Sequence, residues 1–248
     1  MPHGVGAHFF ESCDSTNSMA TRYARRGDAG PVWIVAGSQT AGRGRKGRQW
    51  ASTNGNLFTS LMFRPALSLP QLSALPYVVA LGIRDAFVAV GCKTVNVKCK
   101  WPNDVLLNGK KAAGVLIESS AKGNGQLDHL TIGIGVNLEG SPSNAIFPAT
   151  SCFEETGKLY TPREFLVALA ATMKSRIDSW DVKNFSEIKS EWLANAWGMG
   201  STRRVNTAAD CFDAELVTLD DEGGLIVRLE NGDKRTIVTA DIFPAGTD

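Results

Sequence analysis

Apolar and polar positions along the chain switch between helical and extended spacing, and the switches set out an order of elements. Met19, Ala20, Tyr23 and Ala24 recur at helical spacing behind Asp14-Ser15-Thr16 and stop at Gly27, which predicts a first helix. Residues 32–36 form a short apolar run that reads as a buried strand, and residues 57–63 form another that stops near Pro65. Between them, residues 38–56 are rich in Gly, Arg and Ser with almost no aliphatic side chains. A structureless stretch of that length inside a compact domain usually binds something.

Leu75, Val78, Val79, Gly82, Ile83, Ala86, Phe87 and Val90 mark one face of a long helix that ends at Gly91. Residues 95–100 read as a strand. Residues 104–107 and 110–118 read as a β-hairpin, because Asn108-Gly109 suits a type I′ turn. Residues 130–138 are a further strand. Thr161-Pro162-Arg163-Glu164 is a capping box with proline at the first helical position, opening a helix to about Trp180. Asn184 can cap another helix that ends by Gly198. Beyond Gly200 the texture becomes short strands at 203–206, 211–219, 225–230 and 234–239, separated by turns rich in Asp, Glu, Asn and Gly. The expected fold is α+β: a domain over residues 1–199 with a mixed β-sheet flanked by helices, then a small all-β barrel over residues 200–248.

Composition narrows the function. A formal net charge of +1 means that no global field recruits nucleic acid or an anionic membrane, so electrostatic work must be local. The five cysteines are odd in number with no C-x-x-C spacing, which argues against a zinc site and against a secreted disulfide framework. With only His3, His8 and His129 available, a histidine-rich metal site is not expected either. The N-terminus lacks a basic-then-apolar signal, and no apolar run approaches the ~18–20 residues that span a bilayer. The expectation is a cytoplasmic protein with no metal site of its own.

Positive charge is concentrated in one place. Gly42-Arg43-Gly44-Arg45-Lys46-Gly47-Arg48-Gln49-Trp50 holds four cations among six consecutive residues, with glycines that let the backbone approach a ligand. Arginine forks suit carboxylates and phosphates, so this loop fits an anionic small molecule such as a nucleotide triphosphate. Trp50 could cover an aromatic base or the apolar part of a ligand. The string also satisfies G-x-G-x-x-G, but a dinucleotide-binding turn needs a strand directly before it and a helix directly after, and neither is present. A solvated basic loop, or one that touches RNA, is the plainer alternative.

Three further segments carry weaker signals. Lys100-Trp101-Pro102-Asn103-Asp104 and Lys110-Lys111-Ala112-Ala113-Gly114 flank the hairpin; a lysine beside small residues could hold a carboxylate. Asp104 could orient a base or sugar, or help hold magnesium. Equally, the lysines could be solvated hairpin charges and Asp104 a turn cap. Ser15-Thr16-Asn17 could bond a ureido group or simply cap the first helix. Gly133 and Gly135 within a strand suggest close approach of a ligand or another backbone.

Taken together, Ser15-Thr16-Asn17, the Gly42–Arg48 string with Trp50, Gly55-Asn56-Leu57-Phe58, Lys100–Asp104, Lys111–Gly114 and Gly133-Ile134-Gly135-Val136-Asn137 closely resemble the biotin–protein ligase family. Six such strings in order are highly specific, and they span about residues 12–137. The resemblance implies a catalytic domain related to lipoate ligases and class II aminoacyl-tRNA synthetases, followed by an SH3-like barrel. It implies that ATP activates biotin with Mg2+ present, and that biotin then passes to a lysine of a biotin carboxyl carrier domain of a biotin-dependent carboxylase. On this resemblance Ser15, Thr16, Asn17, Gln39, Gly42, Arg43, Gly44, Arg45, Lys111, Gly114, Gly133 and Gly135 belong to the biotin site. Arg48, Trp50, Asn103, Asp104 and Asn137 belong to the nucleotide side, and Lys111, Arg45 and Arg48 act in catalysis.

The chain departs from that family in two ways. Nothing precedes the expected catalytic domain, so the DNA-binding helix-turn-helix of repressor-type members, and DNA as a partner, are not expected. Asp213-Ala214 and Thr239-Ala240 stand where family members often carry glycine. Monomer and homodimer are both open. The competing readings are a lipoate or octanoate ligase, a nucleic-acid-binding module, and a scaffold whose barrel binds a peptide.

Overall fold

Residues 32–36 are buried without a break because their strand has a helix-covered core on each side. The structure, a computed structural model, describes residues 1–92, 95–122, 126–180 and 185–246. Seven strands, β1 (Gly6–Cys13), β2 (Val32–Gln39), β3 (Leu57–Phe63), β4 (Val97–Lys100), β5 (Asp104–Leu107), β6 (Lys110–Ala121) and β7 (Leu127–Val136), form a sheet in the order β1-β2-β3-β7-β6-β5-β4. Only the β1–β2 pair is parallel; the other pairs are antiparallel, so the sheet is mixed.

Side chains alternate across β2 and enter two cores. Val32 and Ile34 pack with Ala20, Ala24 and Met62 beneath α1 (Thr16–Arg25). Trp33 and Val35 join the larger core with Leu57, Leu61 and the apolar face of α2 (Leu75–Ala89). Helix α2 packs on α4 (Pro162–Asp178), where Phe87 meets Phe165 edge to face at 5.0 Å. Burying each such large apolar side chain contributes about 1.5–3 kcal/mol. Helices α3 (Cys152–Thr156) and α5 (Phe185–Ala194) complete the helical layer. Among the described residues no helix is long and apolar enough to cross a membrane.

A second, antiparallel sheet comprises β8 (Thr202–Asn206), β9 (Cys211–Leu219), β10 (Leu225–Arg228), β11 (Lys234–Ile237) and β12 (Asp241–Pro244), in the order β11-β10-β9-β8-β12. It fits an SH3-like unit around Val205, Leu216, Leu225, Val227 and Ile242. Ala214 and Ala240 are buried there. The Tyr77 hydroxyl on α2 donates to the Gly223 carbonyl and accepts from Trp101 Nε1 at 3.1 Å, which seats this sheet against the larger one.

The hairpin turn is as expected, with positive φ at Asn108 (48°) and Gly109 (80°). Four differences have physical causes. Strand β1 was not anticipated because it is an edge strand with a largely exposed surface, held by backbone pairing to β2. Helix α3 is too short for a periodic signal; Ser151 and Glu154 form its capping box. Strands β10 and β11 stop before residues 230 and 239, and the unanticipated β12 closes the sheet instead by pairing with β8. The Asn184 cap lies outside the described residues.

Candidate active site

One cleft lies over the middle of the larger sheet, and its two ends differ in chemistry. Its walls carry Ser15, Thr16, Asn17, Gln39, Arg43, Gly44, Arg45, Arg48, Trp50, Asn103, Asp104, Lys111, Gly114, Gly133 and Gly135, with Asp241 from the second sheet.

The first end is neutral and built from amides and hydroxyls. Ser15 precedes α1, yet its side chain makes no cap hydrogen bond, so the hydroxyl is not committed to the helix. The Thr16 backbone N–H donates to Gln39 Oε1 at 2.8 Å. Ser60 Oγ, on β3, lies 2.7 Å from Thr16 Oγ1 and 2.6 Å from Asn17 Oδ1. Asn17 Nδ2 donates to Glu118 Oε2 at 2.8 Å and to the Leu116 carbonyl at 3.2 Å. Thr16, Asn17 and Ser60 are buried and mutually bonded, so their orientations are fixed before a ligand arrives. Gly133 makes the packing possible: a Cβ there would stand 2.2 Å from Asn17 Oδ1.

The second end is cationic. Lys110 and Lys111 are neighbours on β6 but serve different surroundings. Lys110 pairs with Glu155 at the surface, at 2.9 Å, whereas Lys111 Nζ reaches Asp104 Oδ1 at 2.7 Å. Lys100 Nζ approaches Asp104 Oδ2 at 3.4 Å and lies 4.5 Å from the Phe147 ring centroid. Burial pushes the Asp104 carboxyl up, but the two lysines outweigh it and hold the group below its usual range. Burial pulls the Lys100 ammonium down. Two cations therefore share one carboxylate, which leaves net positive charge beside the cleft.

The basic loop closes over both ends. It folds back on itself through Gly44 N–H to Arg48 O (2.7 Å) and Trp50 N–H to Gly42 O (2.9 Å), around a 3-10 turn at Arg45–Gly47. Arg43 pairs with Glu118 at 2.8 Å, and Arg45 donates to Asn103 Oδ1 at 3.1 Å. The Trp50 indole lies on Gly114 and Gly135, register partners on β6 and β7, with Lys111 Nζ 5.2 Å from the ring centroid. Its Nε1 is buried with no hydrogen-bond partner among the described residues.

Two residues expected at the site stand off its walls. Gly42 lies against the Trp50 carbonyl and the Gln39 amide, where it supports the turn of the loop. Asn137 is buried behind Lys111; its Nδ2 donates to the Thr150 carbonyl at 3.0 Å and to the Lys111 carbonyl at 3.4 Å. Among the described residues no cluster of three or more His, Cys, Asp or Glu side chains could hold a metal ion.

The model of the biotin/lipoate A/B protein ligase family matches residues 9–137. The chain belongs to that family. A biotin–[acetyl-CoA-carboxylase] ligase of Paracoccus denitrificans is 38% identical over 241 residues, which cover 94% of this chain and 98% of the relative. A bifunctional ligase/repressor of Bacillus subtilis is 34% identical over 96% of this chain and 74% of its own length. Among solved structures, the biotin protein ligase of Aquifex aeolicus in complex with biotin and ATP superposes with a TM-score of 0.79 at 28% identity, covering 96% and 97% of the two chains. The ligase of Leishmania major in complex with biotinyl-5-AMP gives 0.67 at 28% identity, covering 94% and 99%.

In this family member the structure adds Asp241 to the cleft wall, and Ser60, Glu118 and Thr239 as partners of its lining residues, none of which the sequence reading named. Ser60 and Glu118 lie on strands whose pattern marks them only as strand positions. Thr239 and Asp241 sit far along the chain from the loop they touch, at separations of 194 and 193 residues. Asp241 carried no local signal. Ser60, which with Thr59 breaks the apolar run of β3, is the one that a search for polar breaks would have found.

Proposed function

We propose that this chain is a biotin–protein ligase: it activates biotin with ATP to biotinyl-5′-AMP and transfers the biotinyl group to a lysine of a biotin carboxyl carrier domain. One observation carries the reading. The cleft joins a neutral, amide-lined end to a cationic end across a floor of glycines, which suits a ligand with a ureido head and a carboxylate tail lying beside a polyphosphate.

In this reading Ser15, Thr16, Asn17 and Gln39 hold the ureido ring. The chain of the acid runs along the indole of Trp50, which itself covers Gly114 and Gly135, and its carboxylate points to Lys111. Arg45, Arg48 and Lys111 face the phosphates, while Trp50, Asn103 and Asp104 belong to the nucleotide side. Gly42 and Asn137 support the site from behind. Residues 1–199 are the catalytic unit and residues 200–248 the SH3-like unit.

Carboxylate and triphosphate are both anions, so alignment and positive charge are what the site must supply. A carboxylate oxygen attacks the α-phosphorus, the bond to the bridging oxygen breaks, and pyrophosphate leaves. The mixed anhydride has AMP as a good leaving group. The neutral amine of a carrier lysine then attacks the acyl carbon and AMP departs, so no cysteine of this chain is needed as a nucleophile. Magnesium accompanies the nucleotide and neutralises phosphate charge. Asp104 and Asp241, two carboxylates on the cleft wall, are both engaged by cations of the chain. Arg43 and Arg45, tied to Glu118 and Asn103, keep water from the adenylate.

The test is biotin-dependent exchange of labelled pyrophosphate into ATP, with lipoate and octanoate run in parallel. Exchange with biotin alone is the expected result. Exchange only with lipoate or octanoate moves the protein to the sister activity of the family.

A further inference from the structure

Arg48 is assigned above to the nucleotide phosphates, yet the chain already provides an anion for it. Both terminal nitrogens of Arg48 meet the Asp241 carboxylate: Nη1 donates to Oδ1 at 3.2 Å, and Nη2 bonds Oδ2. Lys46 Nζ joins the same carboxylate at 3.3 Å. Beside them, Arg45 Nη2 donates to Thr239 Oγ1 at 2.7 Å. Thr239 lies in the bend between β11 and β12 and Asp241 opens β12, so three successive cations of the loop are tied to the barrel.

A bidentate carboxylate uses the same two N–H vectors of an arginine that a bidentate phosphate uses. One guanidinium edge cannot serve both. Asp241 lies on the wall of the cleft, within reach of its contents. Burial raises the Asp241 carboxyl, but the Arg48 bond and the Arg48 and Lys46 charges prevail and keep it below its usual range, so it is an anion at neutral pH. The Arg48 side chain is 46% exposed, and ion pairs of that kind are weak and readily exchanged.

We propose that Asp241 is an exchangeable internal anion: it fastens Arg48 and Lys46 of the basic loop to the barrel until the phosphates of the nucleotide replace it. The barrel thereby belongs to the active site as a latch for the loop. Asp241 is a positioning residue, acting through Arg48. The inference rests on the reading that Arg48 faces a nucleotide.

Limited trypsin digestion of the full chain reads the loop directly, because Arg43, Arg45, Lys46 and Arg48 are all trypsin sites. The experiment compares the parent with Asp241→Asn and Asp241→Ala, each without ligand and with saturating biotin, ATP and magnesium. Cleavage sites are assigned by fragment mass, and unchanged melting confirms that the variants are folded. Without ligand, both variants are expected to be cut in the loop about five-fold faster than the parent, the scale of a partly exposed ion pair. With ligands, parent and variants are expected to be equally protected. An unchanged rate without ligand overturns the latch. Persistent fast cleavage of the variants in the presence of ligands overturns the exchange, because Asp241 would then be a permanent support. Failure of the ligase reading looks different: biotin and ATP would fail to protect the parent itself, and pyrophosphate exchange would be absent.

Discussion

The indole of Trp50 lies directly on Gly135, so close that a Cβ at that position would stand 2.3 Å from Cε2. The loop and the sheet floor therefore meet at a point where one residue must be large and the other must have no side chain. This contact aligns the loop with β6 and β7, which carry Lys111 and Gly133. The fit makes Gly135 a positioning element for a residue 85 places earlier in the chain.

Gly135→Ala is expected to displace Trp50 while leaving the sheet intact, since residue 135 sits in ordinary extended backbone within β7. Intrinsic fluorescence should change, and adenylate formation should fall about ten-fold or more through misplacement of the loop. Wild-type activity with an unchanged Trp50 environment would contradict the fit.

Lys111→Ala removes one of the cations lining the cleft but leaves Lys100 to compensate Asp104. The variant should fold. Single-turnover adenylate formation should drop by the ~2.7–4 kcal/mol typical of losing a charge partner of the transition state. A near-normal rate would remove Lys111 from the mechanism.

Arg45 joins the loop to Asn103 and to Thr239, and both bonds vanish in Arg45→Gly. The variant should still form biotinyl-5′-AMP but release it, seen as free adenylate in the filtrate after ultrafiltration. Retention equal to that of the parent would count against the loop as a cover.

The acid limb of stability should report Asp104. Its folded pKa lies below the usual 3.8, so its contribution is fully present above that value and is lost as pH falls through the folded pKa. Without Lys111 the carboxyl rises toward its ordinary value, so the loss, which begins near the unfolded value in both proteins, is complete at higher pH. Thermal midpoints measured across the acid range should show the limb of Lys111→Ala shifted upward in pH relative to the parent.

Thiol reactivity should separate the five cysteines. Cys211 is exposed and Cys13 half-buried, whereas Cys92, Cys99 and Cys152 are fully buried. Burial also pushes the Cys99 thiol up to about 12, so it carries negligible thiolate at neutral pH. A native titration with a chromogenic disulfide should register Cys211 first and Cys13 more slowly. The remaining three should react only after unfolding.

The strings around Ser15, Arg43–Arg48, Asp104, Lys111 and Gly133 were legible in the sequence because each is a local pattern with its own chemistry. So were the elements with strong periodicity, such as α2 and the β5–β6 hairpin, and the unbroken apolar run that begins β2. Residue type and spacing suffice for these features, since neighbours along the chain create them.

Only the tertiary structure decided which of those residues face one another and which stand aside. Lys110 and Lys111 look alike in sequence, but only Lys111 meets Asp104; Asn137 resembles a ligand residue but lies behind the cleft. Ser60 became part of the amide-lined end because β3 passes beneath α1, and β1 formed because an edge strand needs only backbone partners. Asp241 meets Arg48 across 193 residues because the barrel folds back onto the loop, and no local pattern encodes such an encounter. Side-chain chemistry is written residue by residue, whereas proximity between distant residues arises only when the sheet, helices and barrel pack together.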